Sequence, residues 1–166
     1  MTATTDAQAG AGAVLARFNL HPAQLFHVGV VADDIDAAMA ELSGNLGLTW
    51  KGGRPRASEL CLYGEDRQVE MRIAHSIQGP PHIELLQAVP DTPWTTPSHG
   101  AHHLCYWSAD SDEVCQALEA AGNRRILGKA GTASGYFLTP GGMIIEIIGE
   151  DLRDHLSAWF RGELTR

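Results

Sequence analysis

One pattern is written into this chain twice, and that repetition limits the folds open to it. Phe26-His27-Val28-Gly29-Val30-Val31-Ala32-Asp33-Asp34-Ile35-Asp36 is echoed by His102-His103-Leu104-Cys105-Tyr106-Trp107-Ser108-Ala109-Asp110-Ser111-Asp112. In each copy a His opens an apolar run, an Asp stands seven residues on, and a second Asp follows two further along. The Asp alignment pairs His27 with His103 rather than with His102. A second echo lies downstream, where His82-Ile83-Glu84-Leu85-Leu86 and Ile144-Ile145-Glu146-Ile147-Ile148 each set one Glu inside an apolar strand. A unit repeated in this way leaves a sheet face uncovered by itself and must pack against its copy.

The local signals agree with the repeat. Leu25 to Ala32 alternates as a strand, with His27, Gly29 and Val31 on one face and Phe26, Val28 and Val30 on the other. Asp34 or Asp36 is placed to cap the next helix, whose apolar stripe is Ile35, Met39, Leu42 and Leu46 and whose stop is Gly47. Short strands are expected near 48–51, 60–63, 69–74 and 82–87, separated by Gly- and Pro-rich turns. The stretch 89–100 holds Pro90, Pro93 and Pro97 and connects the halves. In the second half, Asp110 with Glu113 has capping-box spacing. Val114, Leu118 and Ala121 form the helix stripe, and strands follow near 125–127, 135–138 and 143–148. A short helical turn is expected over 14–20 and a C-terminal helix over 151–161. The organisation expected is a partly disordered extension over 1–22, one domain over 23–149 (module one 23–90, module two 99–149) and a C-terminal helix over 150–166.

Several function classes are disfavoured. Net charge is −8 and Lys and Arg never cluster, so no nucleic-acid or anionic-membrane partner is expected. No apolar run approaches the roughly 20 residues of a membrane span. The first residues lack the basic and apolar regions of a secretory signal. Three widely spaced cysteines without a Cys-x-x-Cys argue against a disulfide framework or thiolate zinc site, and fit a reducing cytoplasm.

Period-two alternation sets His27, Glu84, His103 and Glu146 on faces opposite a helix-covered layer of Phe26, Val28, Ile83, Leu85, Leu104, Ile145 and Ile147. Two carboxylates among Val31, Leu86, Trp107 and Ile148 are costly as unpaired charges, and a divalent cation removes that cost. Two His and two Glu suit Zn, Ni, Co, Mn or Fe(II), with room left for water or substrate. A lone His in a strand is ordinarily structural; recurrence in register is what favours ligation. His21, His75, His82 and His155 have no such pairing and are expected to be surface or structural, as is Glu70.

The segments FHVGVVADDIDAA, HIELLQ, HHLCYWSADSDEV and PGGMIIEIIG resemble the vicinal oxygen chelate superfamily, in its glyoxalase-like branch near the methylmalonyl-CoA epimerases. The likeness covers about residues 24 to 149. It implies an α+β fold of two tandem βαβββ modules forming a curved, open mixed sheet around one metal, with ligands at His27, Glu84, His103 and Glu146. It also implies a homodimer, and a small-molecule substrate with adjacent oxygens, of 2-oxo or acyl-CoA type. Chemistry of that kind passes a proton through an enolate, with Glu146 or Glu84 as the base; the resemblance favours Glu146. The epimerases carry a further catalytic Glu, for which Glu59 and Glu65 are the nearby candidates here.

The leading expectation is therefore a metal-dependent isomerase, epimerase or lyase. An Fe(II) dioxygenase would use His27, His103 and Glu146 as a two-His, one-carboxylate triad. A non-catalytic cup would stack a drug or metabolite on Trp50, Trp94 and Trp107. The substrate pocket is expected to be lined by Trp107, Leu86, Val31, Phe137 and Met143. Arg54 and Arg56 are expected as solvated loop residues or as contacts to an anionic tail, and Trp159 and Phe160 as cover for a pocket edge or a dimer contact.

Overall fold

A computed structural model describes residues 20, 22–95, 99–129 and 131–163. The expectations for 14–20, for His21 and for most of the 1–22 extension lie outside those residues. A 3-10 turn (Pro22–Gln24) leads into β1 (Leu25–Ala32), followed by α1 (Ile35–Leu46), β2 (Trp50–Gly52), β3 (Arg56–Leu62), β4 (Glu65–Met71), β5 (Ile73–Ser76) and β6 (His82–Gln87). The second half contains β7 (His103–Ser108), α2 (Ser111–Ala120), β8 (Arg124–Leu127), β9 (Gly135–Leu138) and β10 (Ile144–Gly149). A 3-10 turn and α3 (Arg153–Phe160) follow. Fold class is α+β, as expected.

All ten strands form one curled, open mixed sheet in the order β2-β5-β6-β1-β7-β10-β9-β8-β3-β4. The two modules meet at the antiparallel pair β1–β7. On one side β6 lies parallel to β1 and on the other β10 lies parallel to β7. Strand and neighbour therefore repeat outward from that junction, and the two Glu-bearing strands flank the two His-bearing ones.

Helix starts follow local chemistry unevenly. The Asp34 side chain accepts from the N–H groups of Asp36 and Ala37, and Gly47 closes α1 at φ 68°. Asp110 precedes α2 but its side chain makes no cap hydrogen bond, so the Asp110 half of the capping box is not formed. Such a cap contributes about 1 kcal/mol, whereas each fully buried aliphatic side chain contributes about 1.5–3 kcal/mol. Val114, Leu118 and Ile147 are all buried under α2, so packing outweighs the missing cap. In α1 the stripe is shorter than expected: Ile35 is fully buried, while Leu46 is exposed.

Three departures bear on the site. Module one carries an extra hairpin, β3–β4, which leaves its own half and joins the far edge at Leu62–Leu127. Its Leu62, Val69 and Met71 bury against Val31, Leu86, Ile126 and Tyr136, which is why it crosses. The single strand expected over 69–74 breaks at Arg72, whose guanidinium donates to the Gly53 carbonyl at 2.9 Å and pairs with Asp36 at 2.8 Å. Finally, Phe26 leaves the helix-facing layer. The register with β7 shifts between Leu25 and His27, and Phe26 packs with Cys105, Trp107, Leu156 and Trp159 instead. No helix among the described residues is long and apolar enough to cross a membrane.

Candidate metal centre

β1, β6, β7 and β10 each deliver one side chain to a common point. One ligand atom each from His27, Glu84, His103 and Glu146 lies within 4.8 Å of all the others. The Nε2 atoms of His27 and His103 are 3.0 Å apart. His27 Nε2 is 2.9 Å from Glu146 Oε2 and 3.4 Å from Glu84 Oε2. His103 Nε2 is 3.2 Å from each of those oxygens. Ligands held about 2.0–2.2 Å from a single ion lie roughly 2.8–3.5 Å apart in octahedral or tetrahedral geometry, and all five separations fall inside that window.

Protons alone satisfy this cluster poorly. Each imidazole Nε2 has at most one hydrogen to give, yet each faces the other ring and two carboxylate oxygens. Glu84 Oε2 and Glu146 Oε2 are buried and reach no hydrogen-bond geometry. The donor set thus fits a divalent cation on an observation of its own, the orphaned oxygens.

Metal-free, the cluster is an ion network. Burial pushes the Glu146 carboxyl up, but the His103 and His27 imidazoles outweigh it and hold it at about 2. Glu84 is likewise opposed by burial and still held well below the carboxylate range by His27, His103 and His75. Burial depresses His103, yet Glu146 and Glu84 raise it to about 9. The Cys105 thiol, paired in register with Glu146, is pushed up by burial and then by that carboxylate, so it is no thiolate ligand. All three cysteines are free.

Three neighbours had not been expected at the centre. His75, read from the sequence as surface or structural, is buried on β5 and lies 3.1 Å from Glu84 Oε1. Tyr136 sits opposite Glu146 on β9, and its hydroxyl is 3.2 Å from His103 Nε2. The two are repeat equivalents, since His75 is likewise the cross-strand partner of Glu84. Burial, then Glu146 and Glu84, raises the Tyr136 phenol well above its usual range, so it stays protonated. His102, earlier a competitor of His103, stands behind it with Nδ1 3.0 Å from His103 Nδ1. His99 is exposed. Replacing His75 by Phe keeps its ring contacts with Trp159 and Phe160 but strips Glu84 Oε1 of its partner. The expected loss is about 1–3 kcal/mol of metal-free stability, read from urea unfolding.

The expected pocket lining divides. Val31 and Leu86 lie in the packed concave layer under the β3–β4 hairpin, and Trp107 lies under α3. Phe137 and Met143 do not line it. Phe137 pairs with Ile145, not Glu146, and packs with Val114 and Leu118 beneath α2; Met143 is exposed in a turn. Strand alternation sends Tyr136 inward in place of Phe137. Trp50 also faces a helix, its indole N–H donating to Met39 O and Ser43 Oγ. Arg54, Arg56, Glu59 and Glu65 are exposed. Trp159 stands edge-on to His75, and Phe160 stacks on His82 at 4.2 Å, so α3 covers the Glu84 side of the centre. His82 is structural, its Nδ1 on the Ser76 carbonyl at 2.7 Å, and His155 is exposed.

A curled sheet built from two matched modules, with a His and a Glu converging from each, defines a class. The profile of the Glyoxalase/Bleomycin resistance protein/Dioxygenase superfamily matches residues 26–139, more than half of the chain, and the protein belongs to that superfamily. No curated protein matches it. Among solved structures it is similar to a methylmalonyl-CoA epimerase in complex with methylmalonyl-CoA and NH4+, at 15% identity and TM-score 0.51, covering 76% of this chain and 93% of that one. It is also similar to methylmalonyl-CoA epimerase from Mycobacterium tuberculosis (20%, TM-score 0.51, 76% and 87%). A third is a hypothetical protein from Bacillus halodurans C-125 (20%, TM-score 0.52, 76% and 93%). At these identities the likeness is one of fold.

Proposed function

We propose that the protein is a divalent-metal isomerase, epimerase or lyase acting on a small molecule with adjacent oxygens, of 2-oxo or acyl-CoA type, and that it works as a homodimer. The observation that carries this reading is the convergence of two imidazole nitrogens and two orphaned carboxylate oxygens at ligand-to-ligand spacing. Two of the similar structures support the acyl-CoA choice. One holds methylmalonyl-CoA, and a variant of the Streptomyces coelicolor epimerase holds 2-nitronate-propionyl-CoA.

His27, Glu84, His103 and Glu146 would hold the ion. When bound, it supplies positive charge beside the oxygen on which an enolate's charge develops, worth several kcal/mol. Glu146 is the carboxylate suited to move the proton. Its side chain is 16% exposed against 7% for Glu84, and Glu84 is tied back by His75. His103 and His27 hold Glu146 acidic against burial that pushes it upward, so loosening those two contacts makes it more basic, as a general base requires. Glu146 Oε2 then takes the proton from the carbon beside the carbonyl and returns it. Tyr136, protonated throughout, offers its O–H to the developing oxyanion. A dioxygenase triad is disfavoured because Glu84 Oε2 points into the cluster with the other three. A purely sequestering cup would keep two carboxylates buried for no chemical return.

The reading is tested by metal analysis of protein purified without chelator, followed by deuterium uptake from solvent into 2-oxo and acyl-CoA compounds. About one ion per chain and exchange at the carbon acid are expected; protein without a stoichiometric ion has no such mechanism. Exchange that needs oxygen would favour the dioxygenase. Removing the ion is also expected to lower Tm. Free metal at a thousand times Kd contributes about 4 kcal/mol, and each kcal/mol shifts a chain of this size by about 2–4 °C. Calorimetry with and without chelator should then differ by roughly 8–16 °C.

A further inference from the structure

We infer that His102 is the positioning residue that sets which nitrogen of His103 faces the centre, an inference that rests on the metal reading above. His102 Nε2 lies 2.9 Å from the carbonyl oxygen of Pro93. A carbonyl only accepts, so His102 Nε2 carries the hydrogen and donates it. In the neutral ring, His102 Nδ1 is then left with a lone pair. That atom is 3.0 Å from His103 Nδ1, so His103 Nδ1 is the one that bears a hydrogen and donates. The hydrogen bonds run in one direction, from His103 to His102 to Pro93. In the neutral ring that a bound cation would require, His103 Nε2 ends the line as a lone pair, and it is the atom that meets His27, Glu84 and Glu146.

The His102 ring has little freedom to do otherwise. Its backbone N–H donates to the Gly29 carbonyl at 2.7 Å, and its plane stands at 88° to that of His103. The Pro93 carbonyl is placed by a turn in which Trp94 N–H donates to Thr92 Oγ1 and Val89 N–H to the Trp94 carbonyl. The turn at Pro93, in the first part of the connection between the modules, thus supports the centre. Module one lacks the device. The residue before His27 is Phe26, and His27 Nδ1 is buried without a hydrogen-bond partner. Both rings come from duplicated positions, yet only His103 is held in one tautomer from behind. Ligating histidines generally depend on such a partner, whose loss weakens metal binding about 10–100-fold.

The test uses zinc and three proteins: wild type, His102→Phe and His102→Asn. Phe removes the acceptor and repeats module one; Asn returns an acceptor oxygen near the Nδ1 position. Zinc affinity is read by competition with a chromophoric chelator, the melting point of each metal-free protein reports folding, and long-range 15N–1H spectra report the His103 tautomer. The expected outcome is weakening of about 10–100-fold in His102→Phe, recovery of most of it in His102→Asn, and zinc on Nε2 of His103 with a hydrogen on Nδ1 in wild type. A folded His102→Phe protein that binds zinc as tightly as wild type overturns the inference, as do spectra placing zinc on His103 Nδ1. If His102→Phe does not fold, the wild-type spectra and His102→Asn decide it. Wild type that takes up no zinc or other divalent ion overturns the metal reading instead.

Discussion

Gly29→Ala is expected to leave a destabilised protein that holds no metal. Gly29 stands between the two halves of the centre, opposite Glu84 on one side and His103 on the other. A methyl group there would overlap the Cε1, Nδ1 and Nε2 atoms of the His103 ring. That ring is 1% exposed, backed by His102 and crossed by Tyr136, so it has no free space to yield. Overpacking of this kind costs about 1–3 kcal/mol, or roughly 2–12 °C in Tm for a chain of this length. Displacement of Nε2 would separately remove a proposed ligand. Thermal melts and metal content of the purified variant measure the two effects. Retention of a full complement of ion would mean that His103 does not ligate. The backbone at position 29 has no positive φ to require glycine; the imbalance comes entirely from the neighbour's ring.

Glu146→Gln should produce the opposite split, with the fold kept and the reaction lost. The amide matches the carboxylate in volume, so packing beside Tyr136 and Cys105 is preserved. It cannot accept and return a proton, and loss of a general base costs about 10²–10⁴ in rate. Solvent deuterium exchange in the metal-loaded variant is expected to fall by that factor, with its melting point near wild type when both are loaded. Glu84→Gln is the control, since Glu84 is fixed by His75 and its proposed role is to hold the ion. Should Glu84→Gln abolish exchange in a loaded protein while Glu146→Gln does not, the two carboxylates exchange roles.

How much of this was readable beforehand depended on range. The strand at His27, the cap at Asp34, the stop at Gly47 and the placement of Ile145 and Ile147 under a helix follow from periods of two and 3.6, which act within a few residues. Duplication extended that reach across the chain, because equivalent positions in paired modules face equivalent directions. It brought His27, Glu84, His103 and Glu146 together on paper. Alternation then failed where it was interrupted or mis-phased. The register shift at Phe26 turned that ring toward Trp107. At β9, choosing Tyr136 over Phe137 required knowing which of them lies opposite Glu146, and pairing register is not written in either strand alone.

The amino-acid sequence by itself determined that two like modules exist and which residue of each strand can share a face with a ligand, because those properties are set by local periodicity and by repetition. Tertiary structure alone decided that the β3–β4 hairpin crosses to the far edge, that His75 reaches Glu84, that Tyr136 and His102 flank His103, and that α3 closes the Glu84 side. Those contacts are not fixed by the repeat, and some join residues far apart in the chain, as when Tyr136 meets His103 at a separation of 33 positions. They arise only once burial of apolar surface has brought the curled sheet together and left its polar atoms to find partners within a few ångströms.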